Sequence, residues 1–272
     1  MSSDYRLARG PHATPEEGRC AMEWVSHLAG EPHSDRPACV SPVLRALCIA
    51  LNDGLDKHQR QRLRPYLGRT IGTAEDGLDD ARAWMAMDWL IRVYTPGWLA
   101  LAGVIEAADA LASLEAVQDE PALAAALNAL KLARRDARAA LRTARVARAL
   151  PSAAGWSARN AAWASAEGAV WAVARGAVAG SSGQRACAAA RAAAGDAAVA
   201  AARQSRARFK RAGAAAAARA AITPTIVALQ QSAIVLLERM LPTETLVPSL
   251  VPAGPRETGP EGAWSRPVSP GT

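Results

Sequence analysis

From Pro96 to Leu241 the chain consists of long alanine-dominated runs, interrupted at Pro121, Pro151, Gly180-Ser181-Ser182-Gly183 and Pro224. Alanine has the highest intrinsic helix propensity, so residues 98 to 118, 121 to 149, 157 to 179, 184 to 220 and 224 to 241 should form helices with little tertiary help. A methyl group buries little surface, and only 4% of the 272 residues are aromatic. A core made of such rods needs close backbone approach in place of bulky side chains. At roughly 1.5 Å per residue, the 121 to 149 rod would be about 43 Å long.

The N-terminal third carries ordinary helix punctuation. "EEGRCAMEWVSHLAG" reads as a helix with Ala21, Trp24, Val25 and Leu28 on one face and Gly30 to end it. Pro32 and Pro37 enforce a corner. Ser41-Pro42 supplies a serine cap with proline in the first turn, and the helix through "VLRALCIALNDGL" stops at Asn52-Asp53-Gly54. A short helix interrupted near Pro65 and an acidic loop, "TAEDGLDD", lead to "DARAWMAMDWLIRVY", which should stop at Thr95-Pro96-Gly97. No segment alternates β-branched residues over strand length. The expected fold class is all-α: a disordered N-terminus (1–17), a compact helical module (18–95), an elongated Ala/Arg-rich bundle (96–241), and a disordered tail (242–272) with seven prolines and four glycines.

The first residues are polar and lack the apolar run of a secretory signal. The most apolar stretch, from Pro96, meets Glu106, Asp109 and Glu115 before it could span a bilayer. A cytoplasmic protein with no membrane partner is expected, and the cysteines at 20, 39, 48 and 187 should remain thiols. The net charge of +7 is unevenly spread: residues 1 to 120 carry 12 basic and 18 acidic side chains, residues 121 to 222 carry 17 and 3, and the remainder 3 and 4. The positive block can attract a polyanion or dock on the acidic half of its own chain. Lysine occurs only at positions 57, 131 and 210. With the abundant alanine, this points to GC-rich coding, so arginine richness by itself says little.

The segments "GRCAMEWVSHLAGEPHSDRPACVSPV" and "MDWLIR" resemble an uncharacterised family of high-GC bacterial and bacteriophage proteins. Its pattern is a Cys-x-Met-Glu segment, Ala-Gly-Glu, Ser/Thr-Asp, proline, a second cysteine, a Pro-Val helix start and an Asp-Trp-x-x-Arg helix, followed by a variable alanine-rich region. Met22, Glu23, Ala29, Gly30, Glu31, Ser34, Asp35, Pro37, Cys39, Pro42, Val43, Asp88, Trp89 and Arg92 carry the likeness. It covers residues 18 to 95 and implies no established activity.

Four constellations invite a function. Cys20, His27, His33 and Cys39 include thiolates and imidazoles suited to tetrahedral zinc, with Cys20 and His27 sharing a helix face. The spacing is not that of a zinc finger and there is no CxxC, which favours small buried thiols and a corner capped by Glu31, Asp35 and Ser41. Glu23, Asp88 and Arg92 form a second group. A buried Glu23 suits a general base, yet no nucleophile motif, HExxH, GxSxG or GxxxxGK loop completes a mechanism. Mutual satisfaction in the core is the plainer role, and neither a catalytic residue nor a cofactor is assigned. Third, Trp156, Trp163 and Trp171 lie within about 80° of one another on a helix wheel, as a packing seam does.

The fourth is the helix "LKLARRDARAALRTARVARAL". Lys131, Arg134, Arg135, Arg138, Arg142, Arg145 and Arg148 fall within an arc of roughly 140°, with Asp136 and most alanines opposite. This ridge has phosphate-binding character, and the run "RQSRARFKRAG" from Arg203 adds further cations. The function expected is therefore a non-enzymatic helical interaction or scaffold protein with accessory nucleic-acid affinity through the ridge. A zinc-stabilised module or metal-dependent enzyme at Cys20, His27, His33 and Cys39 is one alternative, and a purely structural oligomeric bundle is the other. The partners implied are nucleic acid, another protein or a second copy of the chain.

Overall fold

Among the residues that the computed structural model describes, 5–146, 153–179 and 212–242, every regular element is helical and there is no strand. The order is α1 (Ala21–Leu28), α2 (Pro42–Gly54), a 3₁₀ turn (Gln59–Leu63), the single-turn α3 (Arg64–Leu67) and a second 3₁₀ turn (Gly68–Thr70). Then come α4 (Asp79–Trp89), a π turn (Leu90–Tyr94), α5 (Thr95–Leu101), α6 (Ile105–Ala112), α7 (Glu120–Val146), α8 (Ala153–Ala179) and α9 (Ala212–Met240). Most of the expected 184 to 220 helix, the run from Arg203, Cys187 and the tail beyond Pro242 lie outside the described residues.

Local chemistry explains the helix ends. Ser41 Oγ accepts from the backbone N–H of Val43 and of Leu44 at 3.2 and 3.4 Å, and Pro42 follows where no N–H is needed. Glu23, at the third position of α1, reaches back to the Cys20 N–H at 2.7 Å. The expected single helix over 98 to 118 is instead two helices. Gly103 takes φ +78°, its N–H bonds the carbonyl of Ala100 and that of Val104 bonds Leu99, a Schellman closure that ends α5.

Two prolines expected to stop helices do not. At Thr95-Pro96-Gly97 the chain stays helical, because the preceding π turn widens the backbone ahead of a residue that lacks an N–H. Thr95 Oγ1 donates to the carbonyl of Leu90 at 2.9 Å inside that turn. Pro224 likewise lies inside α9, where Thr223 Oγ1 donates to the carbonyl of Arg219 at 2.8 Å.

The rods pack around α8, which lies against α5, α7 and α9. Half of its described buried positions are alanine, including Ala158, Ala161, Ala162, Ala166 and Ala169, and two more are serine, so its neighbours approach closely. From α7 come Leu123, Ala126, Leu130, Ala133, Ala137 and Leu141, one residue per turn. Helix α9 also contacts α2 and α4, and one buried cluster runs from Leu7 to Leu241. A Cβ on Gly97 would stand 3.1 Å from Leu229 Cδ2, so the missing side chain lets α5 and α9 approach. The Arg219–Met240 part of α9 is long and apolar enough to cross a membrane, unlike the stretch after Pro96; here 33% of its most apolar window is buried.

The N-terminal segment departs from expectation. Residues 5–17, read as disordered from their polarity, form a strap folded onto α1 and α2. Leu7 is buried, with its N–H and carbonyl both clasped by the Gln61 amide at 2.9 and 3.0 Å. Asn52 donates to the Ala8 carbonyl at 2.9 Å and accepts from the Ala21 N–H at 3.2 Å. Tyr5 and Trp24 rings meet at 4.2 Å. Long-range bonds of this kind leave no local sequence pattern.

Candidate nucleic-acid interface

The buried residues of α7 fix where its cations go. On the helical wheel the seam of Leu123 to Leu141 and the cationic ridge lie about 90° apart, so the ridge flanks the seam and is not directly opposite it. Lys131, Arg135, Arg138 and Arg142 are exposed and Arg134 is half-buried. Together they line an open cleft of about 660 Å³ between α7 and α8, whose other wall includes Trp163 and Glu167. The side chain of Arg145 and the whole of Arg148 lie outside the described residues.

Few acids compensate this surface. Arg134 Nη1 meets Glu167 Oε2 at 3.4 Å, and Arg135 Nε meets Asp136 Oδ1 at 3.0 Å. Among the described residues no ion pair joins α7 to the acidic residues of 18–95. Glu167 also accepts from the indole of Trp171 at 3.1 Å. The tryptophan stripe thus grades from buried Trp156 through half-buried Trp163 to Trp171, which is 56% exposed. Trp163 packs on Leu141 and Trp156, which holds one wall of the cleft in place. The sequence places Trp163 on a packing seam, but its meeting with the ridge, and that of Glu167, depends on the pairing of α7 with α8.

Lys131 and Arg142 are eleven residues apart, or about 16 Å along the axis. Along a duplex axis one strand places a phosphate roughly every 3.4 Å, so this length corresponds to about five base-pair steps. Arginine recurs at each turn of this ridge, and a guanidinium carries planar donors of the kind that pair with phosphate oxygens.

The structure does not gather the other constellations as the sequence suggested. Cys20 is buried at the start of α1. His27 is exposed, edge-on to Trp24, and the Cys39 N–H is held by Glu31 Oε1 at 2.9 Å. His33 faces the carbonyl of His12 at 3.1 Å. These four do not converge, and among the described residues no group of three or more potential ligands is placed to hold a metal. Glu23 joins a different partner, His12: Oε1 accepts from the His12 N–H at 2.6 Å and Oε2 contacts Nδ1 at 2.8 Å. Burial pushes the Glu23 carboxyl up, but bonds from His12 and Cys20 outweigh it and hold it below the usual carboxylate range. That is poor tuning for a general base.

Asp88 and Arg92 do pair, at 3.1 Å, and Asp88 also accepts from the Val117 N–H at 2.9 Å. Glu23 lies in another part of the fold, against the strap. No family model matches the chain, and neither a curated protein nor a solved structure matches it.

Proposed function

We propose that this is a cytoplasmic, non-enzymatic interaction protein whose α7 face holds the phosphate backbone of nucleic acid through Lys131, Arg134, Arg135, Arg138 and Arg142. One observation carries the reading. Four of these five cations are exposed in one open cleft, and the acidic part of the chain supplies no ion pair to them among the described residues. A ridge used for internal docking would be neutralised, whereas this one sets two local acids, Glu167 and Asp136, against five cations and keeps an excess of positive charge for an outside anion. Binding of this type is sequence-independent, because side chains aimed at phosphates do not read base edges.

Filter binding to random duplex DNA at low and moderate salt tests the proposal. Affinity should fall steeply with salt, with a logarithmic slope of roughly 0.9 per phosphate contacted. Changing Arg135, Arg138 and Arg142 to glutamine together should lower that slope by about 3. Absence of salt-sensitive binding, or a slope unchanged by the triple substitution, rejects the assignment.

A further inference from the structure

A second cavity, of about 610 Å³, opens on a different face, between α4, the π turn, α9 and the loop that follows α6. Its size lies within the range of small-molecule sites. Trp84, Met85, Trp89 and Leu236 line it with apolar surface, and Arg92, Arg239 and Asp88 are the charged residues of the same lining. We infer that this cavity binds a small amphipathic monoanion, an aromatic carboxylate in chemical class.

Charge sets the class. Two guanidiniums and one carboxylate line the cavity, which leaves an excess of one positive charge beside its apolar surface. Asp88 is already engaged by Arg92 Nη1 and by the Val117 N–H, the second bond fixing the loop wall. Arg239 is exposed and makes no ion pair among the described residues. Arg92 leaves its Nε buried without a hydrogen-bond partner, a donor whose desolvation is uncompensated. Arg92 and Val93 both line the cavity from within the π turn, an irregularity that recurs at functional sites. Indole and thioether surfaces suit a flat ring, and a guanidinium suits its carboxylate.

The test is calorimetric titration of the full chain with 1-naphthoate and with its neutral analogue 1-naphthalenemethanol. Naphthoate should bind saturably and the alcohol at least about tenfold more weakly, the loss expected for one charge-assisted hydrogen bond. R239Q alters an exposed side chain and should weaken naphthoate about tenfold with unchanged melting. V93W should fill the cavity and abolish binding of both compounds. R138Q on α7 should change neither, which separates this site from the nucleic-acid face. Equal binding of the two compounds, no saturable binding, or naphthoate affinity unaffected by R239Q overturns the inference.

Discussion

Arg82 and Asp76 form a two-point clasp, with Nη1 to Oδ1 at 2.8 Å and Nη2 to Oδ2 at 2.5 Å. The arginine side chain is 1% exposed, and its Nε donates to the carbonyl of Met240 at 3.0 Å. One guanidinium therefore joins the loop before α4 to the end of α9, elements far apart in sequence. Removing the carboxylate leaves a buried charge with only Asp79, at 3.6 Å, as a nearby counter-ion. D76N should cost roughly 3 kcal/mol, the lower end for breaking a buried pair, measured by urea unfolding.

The same pair sets an acid limit. Burial raises the Asp76 carboxyl, but the bonds and charge of Arg82 and the Leu78 N–H outweigh it and hold its pKa below the usual range. For a depressed carboxylate, the stabilisation is complete above the unfolded pKa and disappears as pH falls through the folded one. Wild-type stability should therefore fall on acidification below about pH 4, and D76N should show a shallower acid limb. Parallel acid limbs for the two proteins would show that Asp76 contributes no linkage.

Glu23 plays the corresponding part for the strap. It accepts from the backbone N–H groups of both His12 and Cys20, so E23Q replaces one accepting oxygen with a donor. The expected loss is about 1 to 3 kcal/mol, the cost of unsatisfied buried groups. Limited proteolysis should show faster cleavage within residues 8–19 in E23Q. A cleavage pattern identical to wild type would mean that Gln61 and Asn52 hold the strap unaided.

What could be read from the sequence and what could not divide along a physical line. The Ser41-Pro42 start and the end of α1 near Gly30 depend on neighbours within a few residues, so local pattern reveals them, whereas the seam of α7 flanks the ridge and does not lie opposite it as the alanines suggested. Helical persistence through Pro96 and Pro224 is different: the π turn ahead of Pro96 and the packing of α5 and α9 on neighbouring helices, neither visible in local pattern, outweigh the cost of each proline. The ridge was legible as a ridge. Its wall of Trp163 and its lack of pairing with the acidic segment were not, because they depend on which rod lies beside α7. The cavity at Arg92 and Arg239 joins residues 147 positions apart in the chain and has no sequence signal.

Thiol chemistry offers another check. Burial pushes the Cys20 and Cys48 thiols up to about 12, and burial with Glu31 pushes Cys39 up to about 11. In a C187S background at pH 8, native protein should react with a disulfide reagent on the order of 100-fold more slowly than the unfolded chain, following thiolate fraction. Cys39, the one of these three that is only half-buried, should react first. Rapid labelling of Cys20 or Cys48 in the native state would contradict the packing of α1 on α2.

The proline in α9 gives a prediction of opposite sign. Pro224 is exposed and lies inside a continuous helix, so it removes one main-chain hydrogen bond and packs no core surface. P224A restores the N–H donor and adds the best helix former, while Thr223 keeps its own bond to Arg219. Stability should rise by about 1 to 3 kcal/mol, less than the full proline penalty because the present helix has already adapted. Thermal unfolding should move upward by several degrees for a chain of this size. An unchanged or lowered midpoint would mean that the proline sets a bend on which the contacts of α9 with α2 and α4 depend. P224A would then loosen the Arg82 clasp at Met240, and its loss would not add to that of D76N.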